Sequence, residues 1–408
     1  MFIAKLDLNN YNGVMFLSGP KMGVYIDYAA TTPVDPRVFA VMKPYFTKKF
    51  GNTMSLHTQG REAKEALEES RTTIASLMNA DANELLLMSS ATESTNMAIK
   101  GVAYANKNKG KHIVTSKIEH HCVLEPARWL EKQGFEITRL QVNKFGLIDT
   151  TQLEDAIRKD TILVSIMHAN NEIGTVQDIQ KIGKICKEKD VYFHSDAAQT
   201  FGKLPIDVKK MDIDLLSISA HKVYGPKGVG GLYIRNGTKI EPLLHGGGHE
   251  HAKRASTVNV GGVVGFAEAS KIQKKEMDSD AKEQIVLRDK LIKELLNIED
   301  AHLNGHQTKR LPNNTNFWFS YIEGESLLMQ LDLNNVSAST GSACSSESLE
   351  ASHVLLAIGL KPKEAHGSLR LSLGKYNTEE DVNYVLEVVQ KSVERLREIS
   401  PFKKGWKQ

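Results

Sequence analysis

Between residues 83 and 234, short apolar runs alternate with amphipathic segments. The amphipathic segments at 121–133, 151–159 and 178–189 carry apolar residues at three- and four-residue spacing, which is typical of helices. The apolar runs have the length and the β-branched content of buried strands: ELLLMS (84–89), HIVTS (112–116), ILVSIM (162–167), VYFHS (191–195), LLSIS (215–219) and VGGLYI (229–234). This alternation predicts a largely parallel sheet of the α/β class, with its site residues at the carboxyl ends of strands.

The alternation of strands and helices ends near residue 265. A long amphipathic helical pattern covers 265–296, and the rest of the chain mixes short strands with helices. The chain has 408 residues, which is too many for one ordinary core, because domains average about 150 residues. We therefore predict that a second domain begins near residue 265.

The composition narrows the class of protein. A net charge of +3, with 25% charged and 41% hydrophobic residues, is ordinary for a globular protein and speaks against coating of nucleic acid or a polybasic membrane contact. No apolar stretch approaches the roughly 18 residues of a membrane-spanning helix, and the first 24 residues lack the apolar core of a signal peptide. We expect a cytoplasmic protein. Its three cysteines, Cys122, Cys186 and Cys344, are too few and odd in number for a disulfide framework.

Lys222 follows the run LLSIS at once, in SISAHKVYGPKGVGG (217–231). Such a lysine either begins a surface loop or is a desolvated amine that can form a Schiff base with a carbonyl cofactor. The neighbouring strand ends favour the cofactor interpretation. Asp196 ends the run VYFHSD, where it either caps a helix or keeps the pyridine nitrogen of pyridoxal phosphate protonated. Gln199 lies in the turn that follows.

Three more strand ends carry polar or small residues. Asn171 in IMHANNEIGT could hold the phenolic oxygen of a ring or an amino-acid carboxylate, or it could shape a turn with Asn170. Ala91 and Thr92 open a helix whose amide hydrogens suit a phosphate, although small and hydroxyl residues there are also ordinary caps. His120 follows HIVTS, and because its neighbours lack the ligand spacing of a zinc site, we favour ring stacking or proton transfer.

Cys344 lies in STGSACSSES (339–348), where almost every neighbour is a small residue. Such a segment cannot form a core and favours a nucleophilic thiol, whereas the settings of Cys122 and Cys186 favour packing. Downstream, Arg370 lies in SLRLSLG (368–374), where its guanidinium could bind a substrate carboxylate through two parallel hydrogen bonds.

Taken together, these segments resemble the pyridoxal-phosphate cysteine desulfurases of the NifS/IscS type, within the class V aminotransferases. The resemblance runs from about Tyr25 to Pro401 and rests on segments in this order: SATES, the EH before Cys122, HANNEIGT, SDAAQ, SAHKVYGPKG, GGGHE, GSACSS and LRLSLG. It implies a fold type I (aspartate-aminotransferase-like) enzyme, with a mainly parallel seven-stranded sheet in a large domain (36–264). A smaller α+β domain would combine 22–35 with 265–408, and the unmatched segment 1–21 is expected to be disordered.

The resemblance also implies pyridoxal 5′-phosphate as the cofactor and a role for each site residue. Lys222 would be the Schiff-base lysine, Asp196 the partner of the pyridine nitrogen and His120 the stacked ring. The remaining cofactor contacts would come from Gln199 at the phenolic oxygen and from phosphate ligands, namely Ala91, Thr92, Ser219, His221 and, from the other subunit of a homodimer, Thr257. Asn171 and Arg370 would bind the carboxylate of L-cysteine, and Cys344 would accept its sulfur.

The implied reaction converts L-cysteine to L-alanine and leaves the sulfur as a persulfide on Cys344. The sulfur would pass to a sulfur acceptor or an iron–sulfur scaffold protein, for iron–sulfur cluster assembly or tRNA thiolation. No metal site is expected beyond transient iron–sulfur ligation by Cys344, and no direct contact with nucleic acid or a membrane. The chain departs from the family pattern at 251–256, which lacks the usual glycines.

Two alternatives to this function stay open. One is a selenocysteine lyase or another fold type I lyase, which would not need Cys344 in the same way. The other is a sulfur-handling scaffold protein that kept the fold and lost the activity. Intact Lys222, Asp196 and Cys344 speak against the scaffold, because an inactive site has no physical reason to keep a desolvated lysine and an exposed thiol.

Overall fold

The computed structural model describes residues 23–340 and 351–400. The strands in this part of the chain are β1 (Val24–Tyr25), β2 (Leu85–Met88), β3 (His112–Ser116), β4 (Glu136–Leu140), β5 (Thr161–Ser165), β6 (Tyr192–Asp196), β7 (Leu215–Ser219), β8 (Gly230–Ile234), β9 (Ala301–Leu303), β10 (Asn314–Phe319), β11 (Val336–Ser337) and β12 (Ser368–Ser372).

The helices of the same ranges are α1 (Pro36–Met42), α2 (Thr58–Ser76), α3 (Ala91–Asn96), α4 (Val102–Asn106), α5 (His121–Glu131), α6 (Thr150–Ala156), α7 (Ile179–Glu188), α8 (Val260–Leu295), α9 (Gly324–Leu333), α10 (His353–Ala357), α11 (Pro362–Ala365) and α12 (Glu379–Ile399). A π-helical turn joins α3 to α4 (Met97–Gly101), and four short 3₁₀ turns complete the set: Lys43–Phe46, Ala82–Glu84, Ala220–Lys222 and His249–Ala252. None of these helices is long and apolar enough to span a bilayer.

Seven strands form the main sheet, in the order β2-β8-β7-β6-β5-β3-β4. Only β8 runs antiparallel to its neighbours, β2 and β7, and the other pairs are parallel. The prediction of a mainly parallel seven-stranded α/β sheet is therefore confirmed. Strand β4 was not predicted. It is an edge strand in which only Leu140 is buried, so its sequence EITRL has no apolar run.

Helices cover both faces of this sheet, which explains why its inner strands are apolar along their whole length. On β2, Leu85 and Leu87 join a cluster with residues of α2, α7 and α8, whereas Leu86 and Met88 join a second cluster with the π-helical turn, α4 and α5. Alternate side chains of one strand point to opposite faces. All four residues are consequently buried.

A smaller antiparallel sheet, β12-β10-β9, and the parallel pair β1-β11 lie beside the main sheet. Their cluster includes residues of α9 and α12 and the C-terminal part of α8, such as Leu291 and Leu295. The N-terminal part of α8, with Phe266 and Ile272, instead packs in a cluster of the main sheet. Helix α8 thus connects the two cores without a break, and the division at 264/265, which falls inside it, stays a prediction.

Candidate active site

A cavity of about 280 Å³ opens beside the carboxyl ends of β6 and β7, where ligands of open α/β sheets usually bind. Most of the predicted site residues line it: Ala91, Thr92, His120, Asn171, Asp196, Gln199, Ser219, His221, Lys222 and Arg370. Thr257 is exposed and does not line the cavity of its own chain. Cys344 falls within 341–350 and therefore lies outside the described residues.

Lys222 is the last residue of the 3₁₀ turn that follows β7. Its Nζ donates hydrogen bonds to the carbonyl oxygens of Ala29 (2.5 Å) and Ala30 (2.7 Å). Gln199 Nε2 donates to the same Ala29 oxygen at 2.9 Å. The segment before α1 therefore positions both side chains. Sequence reasoning missed this contribution, because a backbone carbonyl leaves no signature in residue type.

Asp196 ends β6 and is buried, with 6% of its surface exposed. Its Oδ1 accepts a hydrogen bond from the backbone N–H of Ala198 at 2.9 Å, and its Oδ2 lies 3.4 Å from Cys122 Sγ. A carboxylate held by two such neutral donors can also bind a cationic partner. A protonated pyridine nitrogen is a partner of this kind.

His120 is the N-cap of α5, and its Nδ1 accepts a hydrogen bond from the backbone N–H of Cys122 at 3.1 Å. Burial is the largest effect on this ring and lowers the pKa of His120, which favours the neutral form. A neutral ring that accepts at Nδ1 carries its proton on Nε2. His120 can thus stack on a cofactor ring while offering one donor.

Two further histidines line the cavity without having been predicted. The His121 and His353 rings lie 5.0 Å apart between centroids, and His353 Nε2 donates to the carbonyl oxygen of Glu119 at 2.9 Å. The Glu119 carboxyl accepts from Ser116 Oγ at 2.6 Å and from the amide of Met167, and burial raises its pKa to about 8. The paired histidines in EHHC were the only sequence signal for this side of the cavity, which His121 and His353 line.

The predicted phosphate end of the cavity lies where α3 begins. Ser219 Oγ is buried and has no hydrogen-bond partner within the described residues. His221 faces Thr31 Oγ1 at 3.1 Å, and burial, with the charge of Lys222 as the next cause, lowers the pKa of His221 to about 4. Gly230 of β8 lets α3 approach the sheet, because a Cβ there would lie 2.9 Å from Ser90 Cα.

Arg370 lies on β12 and enters the cavity from the smaller sheet. Its Nη2 forms an ion pair with Asp27 Oδ1 at 2.7 Å, and its Nη1 donates to the backbone oxygen of Asn171 at 3.0 Å. Asn171 therefore contacts the guanidinium through its main chain, a contact that its residue type did not predict. The Arg370 amide also donates to the Ser339 oxygen at 2.6 Å, beside the segment that carries Cys344.

These residues fit pyridoxal phosphate. The Ser219 hydroxyl is a buried polar group in need of a partner, and the first amides of α3 have no acceptor within their own helix. Together they suit the phosphate, as Asp196 suits the ring nitrogen and Lys222 the carbonyl carbon. The cavity volume is close to the lower limit of about 300 Å³ for small-molecule sites.

Comparison with known proteins identifies a family and relatives that the chain resembles over most of its length. The family described as aminotransferase class-V matches residues 24–385. "Cysteine desulfurase IscS" of Dictyoglomus turgidum is 56% identical over 388 residues, covering 95% of this chain and 98% of that protein. "Cysteine desulfurase IscS" of Methanosarcina thermophila is 54% identical over 385 residues, covering 94% and 95% of the two chains.

Solved structures also resemble the chain. One titled "NIFS-LIKE PROTEIN" aligns with a TM-score of 0.87 at 39% identity, covering 92% of this chain and 100% of its own. Another, titled "SspA in complex with cysteine", aligns with a TM-score of 0.78 at 39% identity, covering 87% and 100%.

Proposed function

The chain belongs to the class V aminotransferase family and is a pyridoxal-phosphate-dependent cysteine desulfurase, and we propose that Lys222, Asp196 and Cys344 carry its conversion of L-cysteine to L-alanine. The observation that supports the roles of Lys222 and Asp196 is the cavity itself. It gathers an amine, a buried carboxylate, a neutral histidine and a guanidinium from distant parts of the chain.

When bound, pyridoxal phosphate supplies an electrophilic carbon and an electron sink. The residues of the chain do the rest. Asp196 holds the ring nitrogen in its protonated form, and Ser219, His221 and the start of α3 bind the phosphate. Arg370 orients the substrate carboxylate, while the Lys222 amine takes the proton from the substrate Cα.

Cys344 then completes the reaction. Its thiolate attacks the substrate sulfur, the Cβ–S bond breaks with its electron pair left on Cβ, and the sulfur stays on the enzyme as a persulfide. Cβ then takes up a proton, and the carbon skeleton leaves as alanine. Both flanks of its segment are held at the cavity wall. Ser339 pairs with the backbone of Arg370, and Ser352 Oγ donates to Glu172 Oε2 at 2.5 Å.

The test incubates purified protein with L-cysteine and measures alanine, sulfide and protein-bound persulfide. Lys222→Ala should abolish alanine formation. Cys344→Ser should retain cofactor absorbance and lose the persulfide, and Cys186→Ser, a buried thiol that does not line the cavity, serves as the matched control. Sulfide release by Cys344→Ser at the wild-type rate would instead indicate a lyase.

The same proposal includes a homodimer in the cytoplasm that delivers sulfur to an acceptor or iron–sulfur scaffold protein. Exposed Thr257 supports the dimer, because a phosphate ligand that misses its own cavity can serve the partner's. Sedimentation and activity should therefore change together on dilution, and Thr257→Val should weaken cofactor binding. A fully active monomer would contradict this arrangement.

A further inference from the structure

Cys122 contacts Asp196, the carboxylate that would pair with the pyridine nitrogen of the cofactor, although the sequence around Cys122 predicts only packing. It is the second residue of α5, is 6% exposed and lines the cavity. Its Sγ lies 3.4 Å from Asp196 Oδ2, across 74 residues of sequence. Cys186, the other cysteine of the described ranges, is fully buried but lines no part of the cavity.

The chemistry of the pair determines which atom donates. A carboxylate can only accept, so a hydrogen bond between the two requires that the thiol keep its proton. Burial raises the pKa of Cys122 well above its ordinary value, which agrees with a neutral S–H.

The same residue also holds the stacked histidine. The backbone N–H of Cys122 donates to His120 Nδ1, while its thiol faces Asp196. Asp196 is fixed on its other oxygen by the Ala198 amide at 2.9 Å. One residue of α5 thereby sets the relative position of the two groups that would lie on the face and at the nitrogen of a bound ring.

We propose that Cys122 is a positioning residue, whose S–H donates to Asp196 Oδ2 and so fixes the orientation of the carboxylate that pairs with the pyridine nitrogen and withdraws electron density from it. The inference deepens the proposed function and rests on its assignment of Asp196. No bond is formed or broken, because the thiol acts only as a hydrogen-bond donor.

The first experiment is infrared spectroscopy of the cofactor-free protein, in the region of the S–H stretch. The wild-type minus Cys122→Ala spectrum gives the Cys122 band, and the wild-type minus Cys186→Ala spectrum gives an internal reference. We expect the Cys122 band at lower frequency than the reference, with an upward move in Asp196→Asn. If the frequency of the Cys122 band is the same in Asp196→Asn, the proposed hydrogen bond between the two side chains is refuted.

The second experiment titrates the visible absorbance of the cofactor-loaded protein with pH. Removing one donor leaves more negative charge on Asp196, so the midpoint in Cys122→Ala should rise by about half a pH unit, the size expected for one weak hydrogen bond. Cys186→Ala removes a buried thiol elsewhere and should leave the midpoint in place. Thermal denaturation of both variants checks that each is folded.

The outcomes separate this inference from the proposed function. If Asp196→Asn leaves the cofactor absorbance and its pH midpoint unchanged, the assignment of Asp196 fails, and the inference fails with it. If Asp196→Asn changes both but Cys122→Ala changes neither, Asp196 keeps its role and only the role of Cys122 is overturned.

Discussion

Replacement of Arg370 by lysine tests the substrate-binding end of the site. The variant keeps the positive charge, so the ion pair with Asp27 can persist, but a single ammonium cannot reproduce a planar fork that already holds both Asp27 Oδ1 and the Asn171 oxygen. The substrate carboxylate should therefore lose one charge-assisted hydrogen bond, worth about 1.5–3 kcal/mol. At 1.4 kcal/mol for each factor of ten, kcat/KM for L-cysteine should fall about 10- to 100-fold.

Steady-state kinetics of alanine formation measure this effect, with cofactor absorbance as the check on loading. The fall in kcat/KM should come mostly from a higher KM, because Arg370 binds the substrate carboxylate equally in the ground state and in the transition state. Cysteamine, which is cysteine without the carboxylate, should inhibit both proteins with the same inhibition constant. This comparison isolates the carboxylate from any general damage to the cavity.

Arg310→Lys is the matched control. Arg310 is equally buried, lies near the same small sheet and donates to the backbone oxygens of Asn304, His306 and Asn314, but it does not line the cavity. Its replacement should lower stability and leave KM unchanged. An unchanged KM in Arg370→Lys, or an equal rise in both variants, would refute the reasoning.

Four further predictions concern stability. Burial, and next the charge of Lys222, lower the pKa of Lys203 to about 7 from 10.5. Between pH 7 and 10.5 the unfolded chain therefore binds more protons at this lysine than the folded chain does, so the free energy of unfolding should rise with pH in this range. The rise should be smaller in Lys203→Met. Glu250→Gln leaves Arg71 without its buried anion and should cost about 3–5 kcal/mol in urea denaturation. Glu68→Gln, at the half-exposed partner of the same arginine, should cost less than about 1 kcal/mol. His251→Gly should stabilise by about 1 kcal/mol, because φ there is 57°.

The strands could be predicted where burial on both faces makes them continuously apolar. The predicted runs at 112–116 and 215–219 coincide with β3 and β7, whereas the half-exposed edge strand β4 was missed. The long helix was predicted from residue 265, but it begins at Val260 with the glycine-rich turn VGGVVG. Glycines that pack closely against α1 and its neighbours there have no helical periodicity, so the sequence pattern could not reveal them.

Residues of the cavity could be predicted where the residue type itself suits a chemical role, as for Lys222 and Asp196, which both line it. Contacts made by the main chain could not, and these include the carbonyl oxygens of Ala29 and Asn171. Cys122 is the third case. Its sequence neighbours are apolar on one side, and its polar partner is 74 residues away, so packing was the only role that local sequence could indicate.

The turn at 250–252 shows how the chain keeps a left-handed backbone without the glycines that the family pattern has nearby. Glu250, His251 and Ala252 have φ of 48°, 57° and 60°, each costing roughly 1–2 kcal/mol in a residue with a side chain. The Glu250 carboxylate offsets this cost, because it accepts from Arg71 Nη1 (2.7 Å), from Arg71 Nη2 (2.8 Å) and from the Leu87 amide (2.7 Å). Leu87 belongs to β2, the strand that leads into α3. This contact therefore joins the turn before Thr257 to the strand that leads to the predicted phosphate end of the cavity.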